Sequence, residues 1–177
     1  MRRKYFLGTG LALILAVAST ALLIADDDER REHGGKEGHH AMATFNQGYE
    51  DACGDCHFAY QPWLLPARSW EVILAGLDDH YGNALPVSDE ERNALAGYLT
   101  GNAADRSAGK RSRKIMRDLG GEAPLRVSEV PYIRHKHHEL DAAVFARPSI
   151  GGLGNCPACH VTAAQGDYDD DNVSIPR

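Results

Sequence analysis

Cys53-Gly54-Asp55-Cys56-His57 is one of two runs with the same skeleton in this 177-residue chain, and Cys156-Pro157-Ala158-Cys159-His160 is the other. Together they use all four cysteines. Paired CxxC knuckles can hold a structural zinc, and a single CxxC can be the redox dithiol of a thioredoxin-like fold, but neither chemistry requires the histidine that follows. With 9 His in 177 residues, two such coincidences have a chance of about 0.3%. Zinc knuckles also usually lie closer together than the roughly 100 residues between these runs, and a thioredoxin-like fold would place one motif inside a βαβ unit. CxxCH is the pattern of covalent c-type haem attachment. Two thiols add to the two porphyrin vinyl groups, the two-residue spacer matches their separation, and the next residue lies beneath the iron. The sequence therefore predicts two covalently bound haem c groups, attached through Cys53, Cys56, Cys156 and Cys159, with His57 and His160 as proximal iron ligands.

The opposite axial position decides between electron transfer and ligand chemistry. Methionine is scarce: apart from Met1 there are Met42 and Met116, the latter in a basic stretch. Outside the motifs and the N-terminal third of the chain, the histidines are His80, His135, His137 and His138. His80 is expected at the C-terminal end of a helix with Ser69 as N-cap, because Trp70, Ile73, Leu74 and Leu77 recur at helical spacing and Gly82 and Asn83 stop the run. In Tyr132-Ile133-Arg134-His135-Lys136-His137-His138-Glu139-Leu140, a helix places His137 with Ile133, Leu140 and Val144, and a strand also puts it on the side of Ile133. His135 and His138 fall on the polar side and are the alternatives to His137. His80 and His137 are the expected sixth ligands.

The expected fold is mostly α-helical, with two small haem-binding lobes. Residues 44–100 form the first lobe, where a short helix carrying Phe45 and Tyr49 leads into the motif. A later helix begins at Ser88, with a Ser88–Glu91 capping box and Leu95, Tyr98 and Leu99 as its apolar side. Residues 101–125 read as a Gly-rich basic connector (Arg106, Lys110, Arg111, Arg113, Lys114, Arg117), either a solvated linker or a docking patch for an acidic partner. Residues 126–177 form the second lobe and end in the acidic run Asp167-Tyr168-Asp169-Asp170-Asp171. Aromatics are only 7% of the chain, beside 18 Gly and 8 Pro, a thin supply for a core that two macrocycles would help to fill.

Residues 1–25 read as an export signal: Arg2, Arg3 and Lys4, then an apolar run from Tyr5 to Ile24, with small residues at Ala16, Ala18 and Ala25 that could precede a cleavage point. Cleavage is favoured, although 20 apolar residues from Phe6 to Ala25 are also long enough for an uncleaved membrane anchor. Residues 26–43, with His33, His39 and His40, read as a polar linker. Setting aside the three N-terminal bases leaves 16 basic against 25 acidic residues, a net charge of -9. So acidic a body argues against nucleic-acid binding and favours basic partners.

The chain resembles the periplasmic dihaem cytochromes c of proteobacteria (DHC). The likeness rests on Tyr49 to His57, on the run Ala59-Tyr60-Gln61-Pro62-Trp63-Leu64-Leu65-Pro66-Ala67-Arg68-Ser69-Trp70, and on Asp79-His80-Tyr81-Gly82. It extends through Tyr132 to Leu140, Gly166-Asp167-Tyr168 and Ile175-Pro176. The resemblance implies bis-histidine ligation through positions matching His80 and His137, and electron delivery to other haem proteins. In some systems the acceptor resembles an oxygen-binding monohaem cytochrome c and the donor a membrane cytochrome b. His135 and His138 are additional to the family pattern. The expected function is that of an exported, periplasmic single-electron carrier, soluble or tethered to the inner membrane. The alternative is a small haem enzyme, a peroxidase or reductase with one open or displaceable sixth ligand. A redox or gas sensor would be expected to carry an attached signalling domain.

Overall fold

Ser88 starts the longest helix among the described residues. Its hydroxyl accepts the Glu91 N–H, and the Glu91 carboxylate accepts the Ser88 N–H at 2.8 Å, so the expected capping box is present in both halves. The computed structural model describes residues 46–177. Expectations for residues 1–25 and 26–43, and for Phe45, lie outside the described residues. Among the described residues six α-helices follow one another: α1 (Gln47–Cys53), α2 (Ala67–Ala75), α3 (Asp89–Gly101), α4 (Lys110–Leu119), α5 (Pro131–Lys136) and α6 (Ala142–Phe145). Short 3-10 turns fill the intervals. Among the described residues the only extended pairings are two isolated bridges, His80 with Asn83 and His160 with Val173. The helical expectation holds.

The core forms where α2 packs on α3. Trp70 and Leu74 of α2 are buried in one cluster with Leu95 and Leu99 of α3, and with Tyr49, Trp63, Leu64 and Leu65. Such a cluster gives each helix a reason to fold, since isolated helices this short are marginal in water. The start of α2 differs from expectation. Pro66, with φ fixed at -69°, precedes the first turn, and Ser69 is buried inside the helix rather than capping it. The indole of Trp70 donates to the Pro62 carbonyl at 2.8 Å, which ties α2 back to the preceding turn.

Residues 101–125 also depart from the sequence reading, because they are not a plain connector. They contain α4, on which Ser112, Ile115 and Leu119 are buried, and which packs on α5 and on the turn Pro62–Leu64. Gly120 ends it in the left-handed conformation, φ 56°, which a glycine adopts without a Cβ clash. Lys110, Arg113 and Arg117 ride the exposed side of a helix whose inner stripe is core. Just before α4, the Ala104 N–H donates to Leu65 O at 2.9 Å and Asp105 accepts the Ala67 N–H at 2.7 Å. The middle of the chain is thereby tied to the start of α2.

Candidate haem sites

Cys53 is the last residue of α1, and the chain then turns through Cys56 to His57. The His57 ring donates from Nδ1 to its neighbour's carbonyl, Phe58 O, at 2.8 Å. Placing the proton there leaves the Nε2 lone pair for a metal. The ring across from it is His80, with centroids 6.2 Å apart and planes 32° apart. His80 is not at the end of a helix as expected. α2 stops at Ala75, a 3-10 turn Leu77–Asp79 buries Leu77, and His80 follows. A reciprocal pair of hydrogen bonds between His80 and Asn83, 2.8 and 3.2 Å, then closes a tight turn with Tyr81 and Gly82 at its tip.

Both tip residues have positive φ, 54° at Tyr81 and 87° at Gly82. Gly82 does this freely, but a tyrosine in that region costs about 1 kcal/mol or more. Tertiary contacts hold it there: the Tyr81 hydroxyl donates to Leu125 O at 3.0 Å and the Arg126 guanidinium lies 4.2 Å from the ring centre. Asp79 accepts the Gly82 N–H at 2.9 Å. His80 therefore sits on a small, strapped turn whose geometry helical periodicity could not reveal.

In the second site, Pro157 opens the 3-10 turn Cys156–Ala158 and His160 donates its N–H to Cys156 O at 2.9 Å. His137 is the C-cap of α5, and its Nδ1 donates to Ile133 O at 2.7 Å, the same arrangement that His57 has. The His137 and His160 rings lie 5.9 Å apart with planes 79° apart. Phe145 stands against His137 at 6.2 Å and Tyr168 against His160 at 5.4 Å. His135 and His138 are exposed and stack on each other at 5.1 Å. Of the three histidines in this segment, His137 is the one that faces His160.

These distances fit an iron between each pair. Two metal–imidazole bonds of about 2 Å, plus about 1 Å from each nitrogen to its ring centre, separate the centroids of opposed axial ligands by about 6 Å. The protonation states fit as well. Burial holds His80 and His160 below the ordinary imidazole value, and the facing histidine of each pair pushes the same way, which favours the neutral ligand form. His160 Nδ1 is buried with no hydrogen-bond partner in the protein, unlike the Nδ1 of His57 and of His137. Burial pushes the thiols of Cys53 and Cys156 up to about 11, away from the depressed values of a redox dithiol. Nor do the cysteines gather for zinc: among the described residues no group of three or more His, Cys, Asp or Glu could hold a metal ion.

Several residues that link the two sites carry no local sequence signal. Tyr60 stacks on His57 at 5.5 Å and donates to Gly154 O at 2.8 Å. Gln61, buried, donates to Ala163 O at 2.7 Å and accepts from the Tyr168 hydroxyl. Tyr168 meets Trp63 edge-on, and Arg111 of α4 donates to Tyr168 O at 3.1 Å. Their only cue is that Tyr60, Gln61 and Tyr168 lie inside the family-like runs.

A family profile described as dihaem cytochrome c matches residues 49–168. Among solved structures, a diheme cytochrome c from Rhodobacter sphaeroides aligns with a TM-score of 0.63 at 34% identity, covering 72% of this chain and all of that one. A diheme cytochrome type c from Shewanella baltica OS155 gives 0.61 at 30% identity, covering 74% of this chain and 93% of that one. No curated protein matches this chain.

Proposed function

The chain belongs to the dihaem cytochrome c family and so carries two covalently bound haem c groups; from that premise we propose that it is a bis-histidine single-electron carrier of the periplasm. Each haem supplies a one-electron ferric/ferrous couple. In this reading Cys53 and Cys56 anchor one group and Cys156 and Cys159 the other. His57 and His80 clamp the first iron, and His160 and His137 the second.

The observation that carries the reading is the pair of facing imidazoles beside each CxxCH. A closed axial pair leaves a substrate no open position, which favours a carrier over a peroxidase or reductase. The hydrogen bonds from His57 to Phe58 O and from His137 to Ile133 O hold those rings in the ligating tautomer. Two imidazoles favour ferric iron relative to a His/Met pair, so the potentials should be comparatively low.

The N-terminal signal fits export, because bacterial haem attachment of this type takes place outside the cytoplasm. With a net charge of -9 after the basic start is set aside, the surface that meets a redox partner is proposed to be acidic and the partner basic. An oxygen-binding monohaem cytochrome c as acceptor and a membrane cytochrome b as donor are the specific partners proposed.

Mass under denaturing conditions, paired with a redox titration, tests the reading. Two haems remaining on the polypeptide and two reversible one-electron steps are expected; a single haem, or turnover of peroxide or another substrate as the dominant activity, overturns it.

A further inference from the structure

Tyr60 is anchored at one end to the segment of the first CxxCH and at the other to the segment of the second. Its carbonyl accepts the hydroxyl of Tyr49, a residue of α1, at 2.8 Å, and α1 ends in Cys53. Its ring stacks on His57 with planes 28° apart. Its hydroxyl reaches across the molecule to Gly154 O, two residues before Cys156. That carbonyl also receives the Cys156 N–H at 3.0 Å, so the acceptor is tied to the second attachment cysteine. The approach leaves no room for a side chain: a Cβ on Gly154 would lie 2.9 Å from the Tyr60 hydroxyl oxygen.

We propose that Tyr60 is a positioning residue that couples the two haem sites, fixing the placement of one attachment segment against the other and thereby the rate of electron exchange between them. This rests on the dihaem carrier reading above. The exchange moves one electron from the reduced iron of one site to the oxidised iron of the other; no bond forms or breaks, and the phenol keeps its proton. Electron exchange falls steeply with distance and with gaps in the intervening path. A stacked ring and one hydrogen bond join the two attachment segments, whose motifs lie roughly 100 residues apart along the chain. Gln61 also crosses the same seam, through Ala163 O at 2.7 Å, but it stacks on neither proximal histidine.

The test compares holoprotein variants Tyr60→Phe, Gly154→Ala and Gln61→Met by intramolecular re-equilibration after a laser flash delivers one electron per molecule. Haem content and low-spin spectra are recorded alongside. Tyr60→Phe keeps the ring and loses only the hydroxyl, so it should load two haems, remain low-spin and slow the exchange several-fold. Gly154→Ala should slow it at least as much, and Gln61→Met clearly less. Wild-type exchange in Tyr60→Phe, or equal slowing in Gln61→Met, would overturn the proposal. A wild-type protein with fewer than two haems would instead defeat the carrier reading.

Discussion

The rings of His137 and His160 are crossed at 79°, whereas those of His57 and His80 are only 32° apart. Axial imidazoles that lie nearly parallel donate π density along one direction and split the iron orbitals unevenly; crossed rings donate equally along two. The ferric protein should therefore show two distinct low-spin signals by electron paramagnetic resonance. A rhombic one belongs to the first site and a highly anisotropic one to the second. His80→Ala should remove the first and His137→Ala the second, while His135→Ala and His138→Ala leave both in place.

Acid should open the sites. Burial first, and then the facing imidazole, hold His80 and His160 below the ordinary value, so the folded protein resists protons that the unfolded chain accepts from about pH 6.5 downward. A lowered folded value means that stability is lost as pH falls below that point and is indifferent to it above. Soret spectra and denaturant midpoints, followed from neutral pH to about pH 4, should show high-spin haem and weakened folding only on the acid side. Loss on the alkaline side would contradict this.

Helix α4 should behave as core. Ile115 is 1% exposed, and Ile115→Ala should cost about 2–5 kcal/mol. Lys110→Ala, exposed in the first turn of the same helix, should stay within about 0.5 kcal/mol. Equal, negligible effects at both positions would restore the linker reading.

Partner encounter should be governed by the acidic body. Replacing Lys110 and Arg113, both exposed, by Gln should leave the low-salt rate of electron transfer to a basic partner unchanged or raise it. The wild-type rate should fall as salt shortens the screening length to about 10 Å at 0.1 M. Stopped-flow mixing across a salt series measures this; a slower rate in the variant would point to α4 as a dock for an acidic partner.

The parts of the structure legible in sequence are those set by local chemistry. CxxCH spacing marks the attachment points, Ser88 and Glu91 mark a helix start, and the side shared with Ile133 singles out His137. Elsewhere tertiary contacts override local preference. Pro66 starts α2 ahead of Ser69, and Tyr81 takes a left-handed conformation because Leu125 and Arg126 hold it, so His80 arrives on a turn rather than a helix. The α4 stripe is visible in the sequence, since Ser112, Ile115 and Leu119 recur at helical spacing, but the five basic residues around them have the composition of a solvated segment. Tyr60, Gln61 and Tyr168 act across the fold, and no short-range pattern encodes such a pairing.

In the proposed ligation, histidine closes both irons on both faces. Optical spectra of the purified ferrous holoprotein, recorded with and without carbon monoxide, test it most directly. Unchanged low-spin bands are predicted for the native protein, with carbon monoxide binding one haem in His80→Ala and one in His137→Ala. Binding of carbon monoxide to either haem of the native protein would contradict it.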